Sequence, residues 1–211
     1  MVKKNKTKQW LKRHVSDAYV RKAKKSGLRA RSAFKLSEIK ERFHLFRPGD
    51  AVIELGSAPG GWTQSIVQWV GNQGLVVALD LLPMSAVSGA RFIQGDCTDE
   101  VIVAAVSDHL SLNRSQSKVQ LVVSDMAPNL SGDRCRDQAN AERLWQMVMD
   151  YCTRFLSRGG AMVIKLFHGE AFETFIGTVR LHFDCVNIVK PDASRKESRE
   201  VYLVAIDYRG E

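Results

Sequence analysis

Seven short apolar runs, separated by stretches of helical periodicity, constrain this chain more tightly than any other feature. The runs are Ala51–Leu55, Leu75–Asp80, Arg91–Gln94, Gln120–Asp125, Ala161–Phe167, Cys185–Lys190 and Val201–Asp207. Most are continuous and aliphatic or β-branched, without polar alternation, which is the pattern of strands covered on both faces. Helices are predicted near 31–43, 61–70, 99–109 and 170–181. The clearest helix spans Gln138–Ser157, where Leu144, Val148, Tyr151 and Phe155 recur at helical spacing and Arg158-Gly159-Gly160 supplies the stop. Strand and helix alternate, which predicts a doubly wound α/β domain around a buried, parallel sheet. Pro48-Gly49-Asp50 marks the entry into the first core strand.

At 211 residues the chain accommodates one such domain and a tail. Its 45% hydrophobic and 26% charged residues exclude wholesale disorder and fibrous classes. The longest apolar run, Val101–Val106, falls far short of the ~20 residues of a membrane span. Residues 1–15 lack the apolar stretch of a signal peptide, so a cytoplasmic protein with no membrane partner is expected. Cys97, Cys135, Cys152 and Cys185 form no C-x-x-C pair and the five histidines no H-x-x-x-H pair. Neither a metal site nor a disulfide framework is expected.

The net charge of +8 is unevenly spread. Residues 1–47 carry 16 Lys and Arg against 3 Asp and Glu, whereas residues 48–211 carry 15 against 20. A basic segment ahead of an acidic body points to a polyanion, most often nucleic acid, because neutralising phosphates releases condensed counterions. The alternative is a solvated arm that only maintains solubility.

After the first strand comes Glu54-Leu55-Gly56-Ser57-Ala58-Pro59-Gly60-Gly61-Trp62, a strand feeding a glycine-rich turn and then a helix. Such a turn cradles a nucleotide-like ligand, since glycine lets the backbone approach closely and the helix start offers unpaired N–H groups. A Walker loop would need Lys where Trp62 stands, and a dinucleotide fingerprint would need a glycine where Ser57-Ala58-Pro59 stands. With both phosphate readings weak, the turn suits S-adenosylmethionine, which carries no pyrophosphate. Asp80 closes the second strand and Asp96 follows the third. Their carboxylates would accept from the ribose diol and the adenine amino group respectively, although either could instead cap a turn. Trp62, at the start of a helix, could be a cofactor wall or plain packing.

Ser124-Asp125-Met126-Ala127-Pro128-Asn129 ends the fourth strand with a carboxylate on the same edge. In the next run Lys165 interrupts Ala161–Phe167. A buried ammonium without a partner is costly, so Lys165 must face the cleft or meet a carboxylate. A desolvated lysine is also a usable base. Lys35 lies on the predicted helix joining the arm to the core, and Glu200 opens the last apolar run.

Together these segments resemble the FtsJ-type ribose 2′-O-methyltransferases over nearly the full length. The resemblance runs from Ser16-Asp17-Ala18-Tyr19-Val20 through Gly27–Leu36, Ala58-Pro59-Gly60-Gly61-Trp62, Asp80-Leu81-Leu82-Pro83-Met84 and Gln94-Gly95-Asp96. It continues in Ser124–Gly132 and Ser198-Arg199-Glu200-Val201-Tyr202. It implies a Rossmann-like methyltransferase fold with a mostly parallel seven-stranded sheet, S-adenosylmethionine as cofactor and no metal. The family's catalytic K-D-K-E set maps by resemblance onto Lys35, Asp125, Lys165 and Glu200, with Lys165 as proton acceptor. Its cofactor contacts map onto Gly60, Trp62, Asp80, Asp96 and Asp125. The chain departs from the family pattern at Ser57, where close relatives often have Ala, and in the more basic stretch 133–137 with Arg134 and Arg136.

The implied substrate is a uridine in the A loop of 23S rRNA within the large ribosomal subunit, with no obligate protein partner. Residues 1–30 would form a basic RNA-binding extension and residues 31–211 the methyltransferase domain. RNA would be gripped by Lys3, Lys4, Lys6, Lys8, Lys12 and Arg13, by Arg21-Lys22-Ala23-Lys24-Lys25, and by Arg195, Lys196 and Arg199. Trp10 and Tyr19 could stack on bases or anchor the arm. The alternatives are the same chemistry on another RNA, such as a transfer RNA anticodon loop, or a non-catalytic ribosome assembly factor.

Overall fold

The apolar runs assemble into one sheet. The computed structural model describes residues 17–113, 117–128 and 131–210. Among them the strands are β1 (Ala51–Leu55), β2 (Leu75–Asp80), β3 (Ala90–Gln94), β4 (Val119–Ser124), β5 (Leu156–Phe167), β6 (Phe183–Val189) and β7 (Glu200–Tyr208). The helices are α1 (Ala18–Lys25), α2 (Ala33–Phe43), α3 (Gly61–Val70), α4 (Glu100–Asn113), α5 (Arg134–Phe155) and α6 (Phe172–His182).

The strand order is β3-β2-β1-β4-β5-β7-β6. All neighbouring pairs are parallel except those made by β7, which runs antiparallel between β5 and β6. The predicted doubly wound, mostly parallel seven-stranded sheet is therefore observed. Chain order reverses between β1 and β4, and in such sheets the ligand crevice opens at the carboxyl ends of the two strands flanking that point.

Successive strand residues point to opposite faces, and each face has its own core. On one face Ile53, Ile164 and Leu203 of the sheet pack with Val106 of α4, Val148 of α5 and Val179 of α6. On the other face Val52, Val163 and Tyr202 pack with Leu36 of α2 and Ile66 of α3. No helix among the described residues is long and apolar enough to cross a membrane.

Helix α5 departs from the predicted Gln138–Ser157 at both ends. It starts at Arg134 because the Asp133 side chain caps it, accepting from Arg136 N. At the other end Leu156 is already extended and buried, pairing with Val119, so the chain passes from helix to strand before the Arg158-Gly159-Gly160 stop. The irregular register between Val119 and Leu121 then places Gly159, at φ +73°, inside the strand. Asp17 caps helix α1, its carboxylate accepting from Tyr19 N at 3.0 Å.

Candidate active site

The lysine that interrupts β5 finds its carboxylate. Lys165 Nζ donates to Asp125 Oδ1 at 3.1 Å and also to the Asp125 carbonyl oxygen. Lys35, on the first turn of α2, pairs with Glu200 Oε1 at the start of β7. Both lysines are only 8% exposed. Removing one partner of such a pair leaves a charge in a poorly solvated place, so each acid is needed to keep its lysine there.

Tyr202 joins the two pairs. Its hydroxyl donates to Asp125 Oδ1 at 2.6 Å, and Lys35 Nζ lies 5.6 Å from its ring centroid. The strand register sets this arrangement, because Lys165 lies opposite Tyr202 and Phe167 opposite Glu200. All four predicted catalytic residues thus belong to one contiguous cluster at the carboxyl edge of the sheet. Burial pushes the Glu200 carboxyl upward, but the hydrogen bond and charge of Lys35 outweigh it and hold Glu200 below its usual value. Burial, reinforced by Asp125, raises the Tyr202 hydroxyl well above its ordinary pKa.

The cluster depends on how α2 is seated. Trp62 Nε1 donates to Ser32 O at 2.8 Å, at the residue preceding α2, and its ring lies 5.9 Å from that of Tyr202. Trp62 is 2% exposed. Its observed contacts are those of packing and anchoring.

Beside the cluster lies the glycine turn. Gly60 adopts φ +97° at the start of α3, and Gly60 N closes the turn on Ser57 O at 2.7 Å. Asp80 ties this turn to the next loop, its Oδ2 accepting from Ala58 N and its Oδ1 from Leu82 N, both at 2.8 Å. Asp96 Oδ1 accepts from Thr98 N and Thr98 Oγ1, which holds its carboxyl below the usual range. Both acids therefore shape turns, and each carboxylate retains lone pairs for a ligand, since it can accept about four hydrogen bonds.

The residues present fit the cofactor. Ser57 Oγ is buried inside the glycine turn with no hydrogen-bond partner among the described residues. An orphaned hydroxyl of this kind calls for a polar ligand atom or water. Gly60, Asp80, Asp96 and Asp125 lie at or just beyond the carboxyl ends of the neighbouring strands β1, β2, β3 and β4, where their acceptors and backbone suit a donor-rich, positively charged ligand. Among the described residues no group of three or more His, Cys, Asp and Glu is arranged to hold a metal ion.

Sequence reasoning missed three residues here. Tyr202 reads as a core aromatic within an apolar strand. Glu54, 2% exposed, accepts from Thr63 Oγ1 at 2.6 Å across the base of the turn. Burial, with Asp125 and Asp80 nearby, raises its carboxyl to about 8. The signal was a lone acid in a strand otherwise apolar. Arg29 was hidden among the other basic residues that precede β1.

On the basic side, Arg21, Lys22, Lys24 and Lys25 are exposed on α1, as are Lys196 and Arg199 beyond β6. Arg195 is partly covered, with Nε 3.5 Å from Asp17 Oδ2. Tyr19 packs on Phe34 with ring centroids 5.6 Å apart, and the Arg31 guanidinium carbon lies 5.7 Å from the Tyr19 ring centroid, which is the anchoring arrangement. Lys3, Lys4, Lys6, Lys8, Trp10, Lys12 and Arg13 lie outside the described residues.

Comparison with known proteins bears on the same segments. The model of the FtsJ-like methyltransferase family matches residues 28–208. The ribosomal RNA large subunit methyltransferase E of Pseudomonas fluorescens is 45% identical over 201 residues, covering 95% of this chain and 94% of that protein. A Plasmodium falciparum structure described as a ribosomal RNA methyltransferase superposes with a TM-score of 0.77 at 23% identity, covering 87% of this chain and all of that one. Aeropyrum pernix fibrillarin, solved with natively bound S-adenosyl-L-methionine, gives a TM-score of 0.57 at 18% identity over 83% of this chain and 76% of that one. The two structural likenesses establish a shared fold.

Proposed function

This chain belongs to the FtsJ-like methyltransferase family, and from that premise we propose that it methylates the ribose 2′-hydroxyl of a uridine in the A loop of 23S rRNA, using S-adenosylmethionine, in the large ribosomal subunit. Residues 1–30 act as the RNA-binding extension, residues 31–211 as the catalytic domain, and the enzyme works in the cytoplasm. The observation that carries the reading is the cluster of Lys35, Asp125, Lys165, Glu200 and Tyr202 beside the glycine turn.

S-adenosylmethionine, when bound, supplies a methyl group on a positively charged sulfur that departs as a neutral thioether. Gly60, Asp80 and Asp96 hold the cofactor, Trp62 supports the helix start beneath it, and Asp125 lies between cofactor and substrate. Lys165 uses donors on Asp125 O and Oδ1, so its remaining corner is available to the ribose hydroxyl. There the Lys165 amine, having first given up its own extra proton, takes the hydroxyl proton on its lone pair as the oxygen attacks, while Asp125 and Glu200 fix the two lysines. Arg21, Lys22, Lys24, Lys25, Arg195, Lys196 and Arg199 engage RNA phosphates.

The test is incubation with methyl-labelled S-adenosylmethionine and unmethylated large subunits, followed by mapping. Label on the 2′-oxygen of one A-loop uridine is expected. Label on a base, on a different RNA, or nowhere would overturn the reading.

A further inference from the structure

Arg29 makes contacts unlike those of the exposed basic residues on α1. Its Nη1 donates to Ser85 O at 2.5 Å and to Pro59 O at 3.4 Å, and its Nη2 donates to Ala86 O at 2.7 Å. The guanidinium therefore bridges the glycine turn and the loop that follows β2. Its backbone is fastened as well, since Arg29 N donates to Gln64 Oε1 at 2.8 Å on α3.

The fit is close. A Cβ placed on Gly60 would lie 2.8 Å from Arg29 Nη1 and 2.9 Å from Met84 Sδ. One placed on Gly61 would lie 2.7 Å from Ala30 Cβ. At its other end the same loop is held by Asp80, which accepts from both Ala58 N and Leu82 N. Asp80 thus fixes the loop where it leaves β2, and Arg29 fixes it where it passes the glycine turn. A planar guanidinium presents its donors from separate nitrogens in fixed directions, so it holds carbonyls of two segments with a definite geometry, whereas a lysine offers one nitrogen on a flexible stem.

We infer that Arg29 is a positioning residue for the cofactor crevice, fastening the loop 81–86 to the glycine turn and making cofactor affinity depend on a residue of the basic, RNA-facing segment. The inference rests on the S-adenosylmethionine reading above. The competing role for an arginine here is a phosphate contact, and the two roles differ in what they control. A phosphate ligand sets RNA affinity and its salt dependence, whereas a fastening residue sets cofactor affinity.

The experiment uses the full chain and its Arg29→Ala and Arg29→Lys variants. Binding of S-adenosylmethionine and S-adenosylhomocysteine is titrated by calorimetry, and RNA affinity is measured across a salt series. Losing charge-assisted hydrogen bonds should weaken cofactor binding by about 10- to 100-fold in the alanine variant. The lysine variant should show a smaller loss. In both, KM for the cofactor rises while kcat at saturating cofactor stays near wild type, and the salt slope for RNA is unchanged. A Lys24→Ala variant should do the reverse, losing about one unit of salt slope with cofactor affinity intact.

Cofactor binding at wild-type strength in the lysine variant, whatever the folding of the alanine variant, overturns the inference. So does a reduced salt slope with unchanged cofactor affinity. Failure of the wild-type chain to bind either compound would instead overturn the proposed function.

Discussion

Glu54→Gln should make the protein more stable at neutral and alkaline pH, by an amount that grows with pH. Glu54 is 2% exposed, and burial raises its carboxyl from 4.5 to about 8, against the opposing hydrogen bond from Thr63. Between those two values the unfolded chain has lost this proton and the folded chain keeps it. Folding therefore takes up a proton, and stability falls as pH rises through that window by up to ~1.4 kcal/mol per pH unit. Over the whole window the ceiling is about 5 kcal/mol, a large part of a domain's typical stability of roughly 5–15 kcal/mol. Glutamine keeps the shape and can still accept from Thr63 Oγ1, but has no proton to lose. Urea unfolding of both proteins at intervals from pH 5 to 8.5 gives the difference directly. The variant should match wild type near pH 5, gain progressively above it and level off above about 8. A difference that is constant with pH, or that favours wild type increasingly as pH rises, would refute a buried, proton-holding carboxyl beneath the glycine turn.

Other perturbations separate chemistry from binding. Lys165→Ala should lower kcat by about 10²–10⁴-fold, the usual range for a lost proton acceptor, while calorimetry shows cofactor still bound. Tyr202→Phe keeps the ring against Trp62 but removes the 2.6 Å bond to Asp125, whose side chain is 20% exposed and partly rehydrates. It should cost about 10-fold in kcat, well below the lysine loss, in a single-turnover methylation assay. If six or more phosphates are neutralised, RNA affinity should fall by roughly 10³–10⁵ between 50 and 200 mM salt in a filter-binding series, and a flat response would contradict the basic footprint.

The fold was legible because buried parallel strands write themselves as uninterrupted apolar runs. Ala51–Leu55 and Leu75–Asp80 were read to the residue, and the other strands differ only at their ends. The insertion of β7 between β5 and β6 was not legible, since periodicity records burial and says nothing of neighbour or direction. The end of α5 was misplaced because Gly159-Gly160 looks like a helix stop, whereas pairing of Leu156 with Val119 claims the chain first. In the site, Lys165 was visible as a charge in an apolar run. Tyr202 was invisible because a phenol that uses its hydroxyl on a neighbouring carboxylate has the same sequence signature as one that merely packs. Asp80 and Asp96 were singled out for their position at strand ends, and their turn-forming bonds use only part of what each carboxylate can accept.

The pairing of charges in the cluster bears on which effect dominates the reaction. Each lysine is met by an acid from a different element, Lys35 of α2 by Glu200 of β7 and Lys165 of β5 by the residue after β4. Such pairing holds each lysine nitrogen in place from a second element, so its first contribution is to fix an oxygen in line with a methyl carbon. Aligning two bound reactants can contribute ~7–11 kcal/mol, whereas a positioned base contributes about 3–5 kcal/mol. The remaining architecture is consistent with that order. Trp62 fixes the start of α2 through Ser32, and Asp80 fixes the glycine turn through Ala58. Both devices restrict movement and neither moves a proton. A Lys165 variant that retains residual turnover above the uncatalysed rate is therefore the expected consequence of a site built mainly to align.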